Sequence, residues 1–202
     1  GVKVSIALEE LGLDYEVIPI DITRDEQFAP EFLEISPNNK IPAIVDDDFP
    51  DDDLSLFDSG AILLYLAHKA GKLAPPGDSP AYFRMMQWLM WQEAHFSPTL
   101  GQTLHFLKFN PGKSVYAEKR FYQEALRLYR VLNSRLEGRD HIADEFSIVD
   151  IATWPWVSRF EFQQIDLHDF PEVMRWYLAL ADRPAFQRGY KVPNENWHIP
   201  RP

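Results

Sequence analysis

Ile41-Pro42-Ala43-Ile44-Val45, followed by Leu54-Ser55-Leu56-Phe57-Asp58-Ser59-Gly60-Ala61-Ile62-Leu63-Leu64-Tyr65-Leu66, is the stretch on which the fold turns. Two short apolar runs, 41–45 and 54–57, read as strands. The run 59–70 reads as a helix, with Ser59 as N-cap and Gly71 as its stop. A proline at position 42 cannot donate to a ladder, so it marks an edge, a bulge or a cis peptide. Working backwards, 30–35 has the look of a short helix. Residues 15–20 read as a strand, with Pro19 suggesting an edge position. Residues 2–11 form an amphipathic helix closed by Gly12. Strands alternating with helices up to Gly71 define a small α/β domain, residues 1–71.

The character changes after Gly71. Lys72-Leu73-Ala74-Pro75-Pro76-Gly77-Asp78 is rich in turn residues, and 72–79 reads as a linker. From residue 80 to 202 the pattern is helical almost throughout, with helices expected over 80–95, 115–136, 147–162 and 171–180. The architecture expected is an α/β domain followed by an all-helical one. A chain of 202 residues has room for both.

Composition excludes several functions. Thirty-one acidic residues against twenty basic ones leave a net charge of −11, which repels nucleic acid and anionic lipid surfaces. A local basic pocket remains compatible with binding a small anion. No apolar run approaches the roughly 20 residues that span a bilayer. The first ten residues do not read as a secretory signal. The chain has no cysteine, which removes disulfides, thiolate metal sites and a cysteine nucleophile together. That composition fits the cytoplasm.

Metal sites and nucleotide motifs find little support. Asp46, Asp47, Asp48, Asp51, Asp52 and Asp53 surround Phe49-Pro50 between two strands. Calcium favours clustered carboxylates, but the spacing matches no EF-hand, so a solvated hairpin loop is the reading adopted. The six histidines include no HExxH pair, and His105 reads as a helix-packing residue. P-loop, GxGxxG and GxSxG motifs are absent.

Three places can carry chemistry. At Asp58-Ser59 a strand ends at a carboxylate and a helix begins with a hydroxyl and free N–H groups. Such a terminus attracts a carboxylate or phosphate, and the adjacent Asp58 can hold an ammonium. Together they suit an α-amino-acid head group; the alternative is a plain helix cap. A cis bond at Pro42 would turn the backbone of Ile41 outward, where an extended peptide could pair with it, with Lys40 beside its carboxylate end. Ser147-Ile148-Val149-Asp150 is a capping box with a structural role. The same helix carries Pro155, so a kink is expected near Thr153 or earlier.

In this order these pieces resemble the cytosolic glutathione transferases, over essentially the whole chain. More narrowly they resemble the Nu class and the branch containing the yeast prion protein that regulates nitrogen catabolism. The matching segments are Lys3-Val4-Ser5-Ile6-Ala7-Leu8-Glu9-Glu10-Leu11-Gly12, Ile35-Ser36-Pro37-Asn38-Asn39-Lys40-Ile41-Pro42-Ala43-Ile44 and Asp58 through Leu66. Gly101-Gln102 with His105-Phe106, and Asp150-Ile151-Ala152 with Trp154-Pro155-Trp156, complete the set. The resemblance implies a thioredoxin-like domain on a helical bundle, a homodimer, and no metal. It implies a cis Pro42, with Ile41 pairing through its backbone with the cysteinyl part of glutathione. Asp58 and Ser59 would hold the γ-glutamyl ammonium and carboxylate, Lys40 and Gln27 would meet the glycyl carboxylate, and Arg120 matches an arginine that reaches glutathione in the Nu class.

The departure lies at the front. The class carries a Thr/Ser-Pro-Asn-Gly turn after its first strand, whose hydroxyl and amide contact the glutathione sulfur. This chain starts at the glycine of that turn, so the expectation is about a dozen further residues upstream, strand included. The activity implied is disulfide-bond reduction by a glutathione thiolate, with two glutathiones per site and some peroxide reduction. Two rivals stand beside it. One is conjugation or ether cleavage of an electrophilic aromatic substrate by the same thiolate. The other is a non-catalytic regulator that keeps the fold. The open half of the cleft is expected between Trp91 and His105 and near residues 156–160.

Overall fold

A computed structural model describes residues 1–49 and 53–202. In the first part, helix α1 (Val2–Leu11) leads through an irregular stretch and two 3₁₀ turns to α2 (Pro30–Ile35), β1 (Ala43–Asp46), β2 (Leu54–Phe57) and α3 (Ser59–Ala70). The strands pair antiparallel, with Ala43 opposite Phe57 and Asp46 opposite Leu54. Gly71 ends α3 at φ 62°, the left-handed region that glycine enters without a Cβ penalty. Residues 15–20 are not a strand. Among the described residues the sheet has two strands, and an extended segment without a ladder partner, with Pro19 lacking an N–H, makes no strand.

The segment that follows β1 is acidic. Asp46, Asp47 and Asp48 bring their carboxylates within 4.8 Å of one another. Asp46 accepts hydrogen bonds from the Tyr65 hydroxyl and from Lys69 Nζ, which ties the end of β1 to α3. Asp47 and Asp48 are exposed. Asp51 and Asp52 lie outside the described residues.

The second part is helical. It comprises α4 (Pro80–Trp91), α5 (Ser97–Leu104), α6 (Val115–Leu136), α7 (Ile148–Val157), α8 (Pro171–Ala181) and α9 (Pro184–Tyr190). Helix α6 falls where its periodicity placed it, with Ser114 capping Ala117 and Ala125, Leu128, Tyr129, Leu132 and Leu136 on one buried face. The helix expected over 80–95 stops at Trp91. It passes into a π turn, Gln92–Phe96, then α5, then a second π turn, His105–Phe109. The helix expected over 147–162 stops at Val157: Ser158 N still reaches Trp154 O at 3.0 Å, and Arg159 N then tightens to Trp156 O at 3.2 Å.

Helix α7 is buried on all sides, packing on α1, α3, α4, α5 and α8. Its capping box forms as expected. Ser147 Oγ accepts from Val149 N, and Asp150 Oδ2 accepts from Ser147 N at 3.1 Å. Asp150 Oδ1 also takes Ile142 N at 3.0 Å and the Trp176 indole N–H at 2.9 Å. Asp150 thus pins α7, α8 and the loop before α7 together. The two parts share one continuous core, because α1 lies against α9 and α7 of the helical part as well as against α3. Gly189 makes the α1–α9 approach possible: a Cβ there would sit 2.6 Å from Ile6 N. Ser5 Oγ donates to Gly189 O at 2.7 Å across the same contact.

Candidate functional site

The head of α3 gathers the polar groups that the sequence singled out, with one change of role. Asp58, not Ser59, is the N-cap: its Oδ1 accepts from Gly60 N at 3.0 Å and Ala61 N at 3.4 Å. Ile62 N donates to Asp58 O. Among the described residues the Ser59 N–H is therefore the amide left over at this helix start, with the Ser59 hydroxyl beside it. Asp58 sits at φ 72°, ψ 123°, a conformation that costs a non-glycine residue about 1–3 kcal/mol and concentrates at functional sites. Its two capping bonds help to hold it there.

Behind Ser59 lies a group of residues that sequence reasoning missed. Lys3 Nζ, on α1, donates to Ser59 Oγ at 3.1 Å, Glu93 Oε1 at 3.2 Å and Ser97 Oγ at 3.4 Å. The Lys3 and Glu93 side chains are 11% and 22% exposed, so this is a largely dry ion pair between the two parts of the chain. Burial pulls the Lys3 ammonium below its ordinary pKa, while Glu93 and Asp58 pull it back up. The π turn arranges the acceptors, widening the helix at Gln92–Phe96 so that Glu93 and Ser97 both reach Lys3. Glu93 also packs on the open face of Gly60, where a Cβ would meet its Cγ at 3.1 Å. A charged residue closing the aromatic run Trp88-Leu89-Met90-Trp91-Gln92-Glu93 was the one available hint.

The remaining candidates sit around this head. The Ile41–Pro42 peptide is cis, and Ile41 stands one residue before the paired register begins at Ala43. Lys40 is exposed, and its carbonyl accepts from Ser36 Oγ at 2.8 Å. Gln27, in the 3₁₀ turn Glu26–Phe28, holds a buried Oε1 with no hydrogen-bond partner among the described residues. Arg120 is exposed on α6, in the field of Glu124, and no hydrogen bond or ion pair among the described residues links it to the head of α3. His105 lies in the second π turn, its ring edge-on to Phe106 and 3.4 Å from Asn110 Nδ2. In the region expected to line the open cleft, Phe96 belongs to the core, and Trp91 and Trp156 are half-buried and pack against it.

The site thus stands at a helix start in a small α/β unit, with a helical unit packed behind it. The N-terminal domain family of glutathione S-transferases matches residues 1–68, and the C-terminal domain family matches residues 115–179. The chain belongs to the glutathione S-transferase family. It is 48% identical over 188 residues to the disulfide-bond oxidoreductase YfcG of Escherichia coli, spanning 92% of this chain and 87% of that protein. Among solved structures it is similar to a glutathione transferase family member of Pseudomonas fluorescens with two glutathione bound: 43% identity, TM-score 0.89, 94% of this chain and 87% of that one. It is also similar to a glutathione transferase of Pseudomonas putida with one glutathione disulfide bound per subunit: 42% identity, TM-score 0.90, 96% and 87% covered. Among the described residues no helix is long and apolar enough to cross a membrane.

Proposed function

We propose that this protein binds glutathione at the head of α3 and uses its thiolate to reduce small disulfides. The observation that carries the reading is the pairing at 58–59. A carboxylate stands beside a hydroxyl and an N–H without a partner among the described residues, the complement of an ammonium and a carboxylate on one carbon. Asp58 Oδ2 takes the γ-glutamyl ammonium, and the Ser59 N–H and O–H take its carboxylate. Ile41 offers backbone groups to the cysteinyl residue, with Pro42 fixing the chain direction. Lys40 and Gln27 serve the glycyl end, where Gln27 Oε1, without a partner among the described residues, has a use for a peptide N–H. Arg120 completes the proposed set of glutathione-binding residues.

The chemistry follows from the absence of cysteine. A chain with no thiol can exchange disulfides only with an external one. One glutathione thiolate attacks a sulfur of the substrate disulfide, expelling the other as thiolate and leaving a mixed disulfide. A second glutathione then attacks the glutathione sulfur of that mixed disulfide. The second substrate thiol leaves, and glutathione disulfide forms. The relatives with two glutathiones or one glutathione disulfide bound support a site of that size. Peroxide reduction by the same thiolate is a side activity.

The reading includes residues 1–71 as the glutathione-binding domain, 72–79 as linker and 80–202 as the helical domain, working as a homodimer in a reducing compartment such as the cytoplasm. Phe83 and Met90, seven residues apart on α4 and exposed, support a second copy as cover for that face. Calorimetry with millimolar glutathione, paired with turnover of 2-hydroxyethyl disulfide and of chlorodinitrobenzene, tests it. Saturable heat with disulfide turnover dominant is expected. Dominant chlorodinitrobenzene turnover would make the protein a conjugating enzyme, and no heat at all would make it a regulator.

A further inference from the structure

We propose that Lys3 is a positioning residue for the glutathione α-carboxylate: it turns the Ser59 hydroxyl proton outward, and Glu93 holds Lys3 in place. This rests on the glutathione site proposed above and adds the group that sets its polarity. An ammonium has three hydrogens to donate and nothing to accept with. Lys3 Nζ has three oxygens around it, on Ser59, Glu93 and Ser97, at 3.1, 3.2 and 3.4 Å. Ser59 Oγ is therefore an acceptor toward Lys3, and its own hydrogen must point elsewhere. At the same helix start the Ser59 N–H has no partner among the described residues. Two donors then converge on one oxyanion position. Without Lys3 the hydroxyl is free to rotate toward Glu93 and to present lone pairs to the ligand.

Glu93 stabilises the arrangement at low exposure. A buried ammonium with neutral partners alone tends to lose its proton, and a neutral amine carries a lone pair, so donation to Ser59 is no longer enforced. Ser97 supplies the third acceptor and also accepts from Gln92 Nε2, which itself donates to Ala152 O at 3.0 Å on α7. The orientation of one ligand-facing hydroxyl is thus fixed by a chain of bonds running into the helical part.

The experiment crosses variants with ligands. Wild type, K3M, K3R, E93Q, S59A and K3M/S59A of the full chain are titrated calorimetrically with glutathione, its glycyl ethyl ester and its γ-glutamyl α-methyl ester. K3M is expected to weaken glutathione and the glycyl ester roughly tenfold or more, the effect of one hydrogen bond to a charged group, while leaving the α-methyl ester unchanged. K3M/S59A should bind no worse than S59A, and K3R should recover most of the loss. Equal weakening of all three ligands by K3M, or independent losses in the double variant, would reduce Lys3 to a structural ion pair and overturn the inference. If K3M does not fold, E93Q takes its place in the ligand comparison: selective weakening of the two ligands with a free α-carboxylate supports the inference, and equal weakening of all three overturns it. Failure of wild type to bind glutathione would sink the proposed function instead, which separates the two failures.

Discussion

Asp58 performs two tasks that a pair of substitutions can separate. Its Oδ1 caps the Gly60 and Ala61 amides, while its charge is what an ammonium would read. Asp58→Asn keeps an acceptor for the cap and tolerates the positive φ, so its melting temperature should stay near wild type. Glutathione affinity should nevertheless fall roughly tenfold through the lost charge. Asp58→Ala should lose that affinity and also about 1–2 kcal/mol of stability, because the cap goes too. Parallel calorimetry and thermal melts check both; an Asn variant that binds like wild type would remove Asp58 from the site. Carboxylates held low in the native state set the acid limit, Glu9 and Asp46 among them. The Arg188 guanidinium and Tyr15 hydroxyl hold Glu9 below the usual carboxylate range, and Lys69 and Tyr65 do the same for Asp46. A depressed native pKa gives stability that is present above the ordinary carboxylate range and lost as pH falls through the lowered value. Urea midpoints should therefore drop as pH falls below the ordinary carboxylate range. Glu9→Gln and Asp46→Asn should each flatten that drop.

Among the elements, the α1–α9 contact is the least tolerant. A Cβ at Gly189 meets Ile6 N at 2.6 Å, Ile6 Cα at 2.7 Å and Ile6 Cγ1 at 2.8 Å, and the two backbone atoms cannot rotate aside as a side chain can. Gly189→Ala should cost about 3 kcal/mol, the upper end for overpacking, although alanine is the better helix former. A denaturant series on the two proteins checks it, and an unchanged midpoint would mean that α9 shifts freely. Legibility from sequence follows the range of the forces. Helices α3, α6 and α8 and the Ser147–Asp150 box were readable because caps and periodicity act within a few residues. The Asp58–Ser59 head was readable for the same reason, although which of the two residues caps was not. The expected strand over 15–20 failed because a strand is a property of two segments, and hydrophobic alternation says nothing about whether a partner lies alongside. The π turns were invisible because one added residue per turn barely alters an apolar pattern. Lys3, Glu93 and Ser97 were missed because 90 and 94 positions separate the lysine from its partners, and only the packing of the two parts brings them together.

The molecule as a whole has a boundary in its sequence but none in its core. Between α3 and α4 the chain turns from a strand-bearing part to a helical one, yet Val4, Ile6, Ala7 and Leu11 of α1 belong to the same buried cluster as Trp154, Tyr177 and Phe186. The ion pairs Lys3–Glu93, Glu10–Arg183 and Glu9–Arg188 cross the boundary, and all three start from α1. The first part alone would expose the face of α1 that α7 and α9 now cover, and its two-stranded sheet is too small to offset that loss. Residues 1–71 expressed alone should therefore show no cooperative melt. In the full chain, far-ultraviolet circular dichroism should lose both parts in one transition. Tryptophan fluorescence reports only the helical part, since all six tryptophans lie after residue 87. Coincident midpoints for the two signals are expected if the shared core couples the parts. A circular dichroism transition preceding the fluorescence change would mean that the α/β part unfolds by itself, and that the contacts of α1 with α7 and α9 contribute little to holding the glutathione site together.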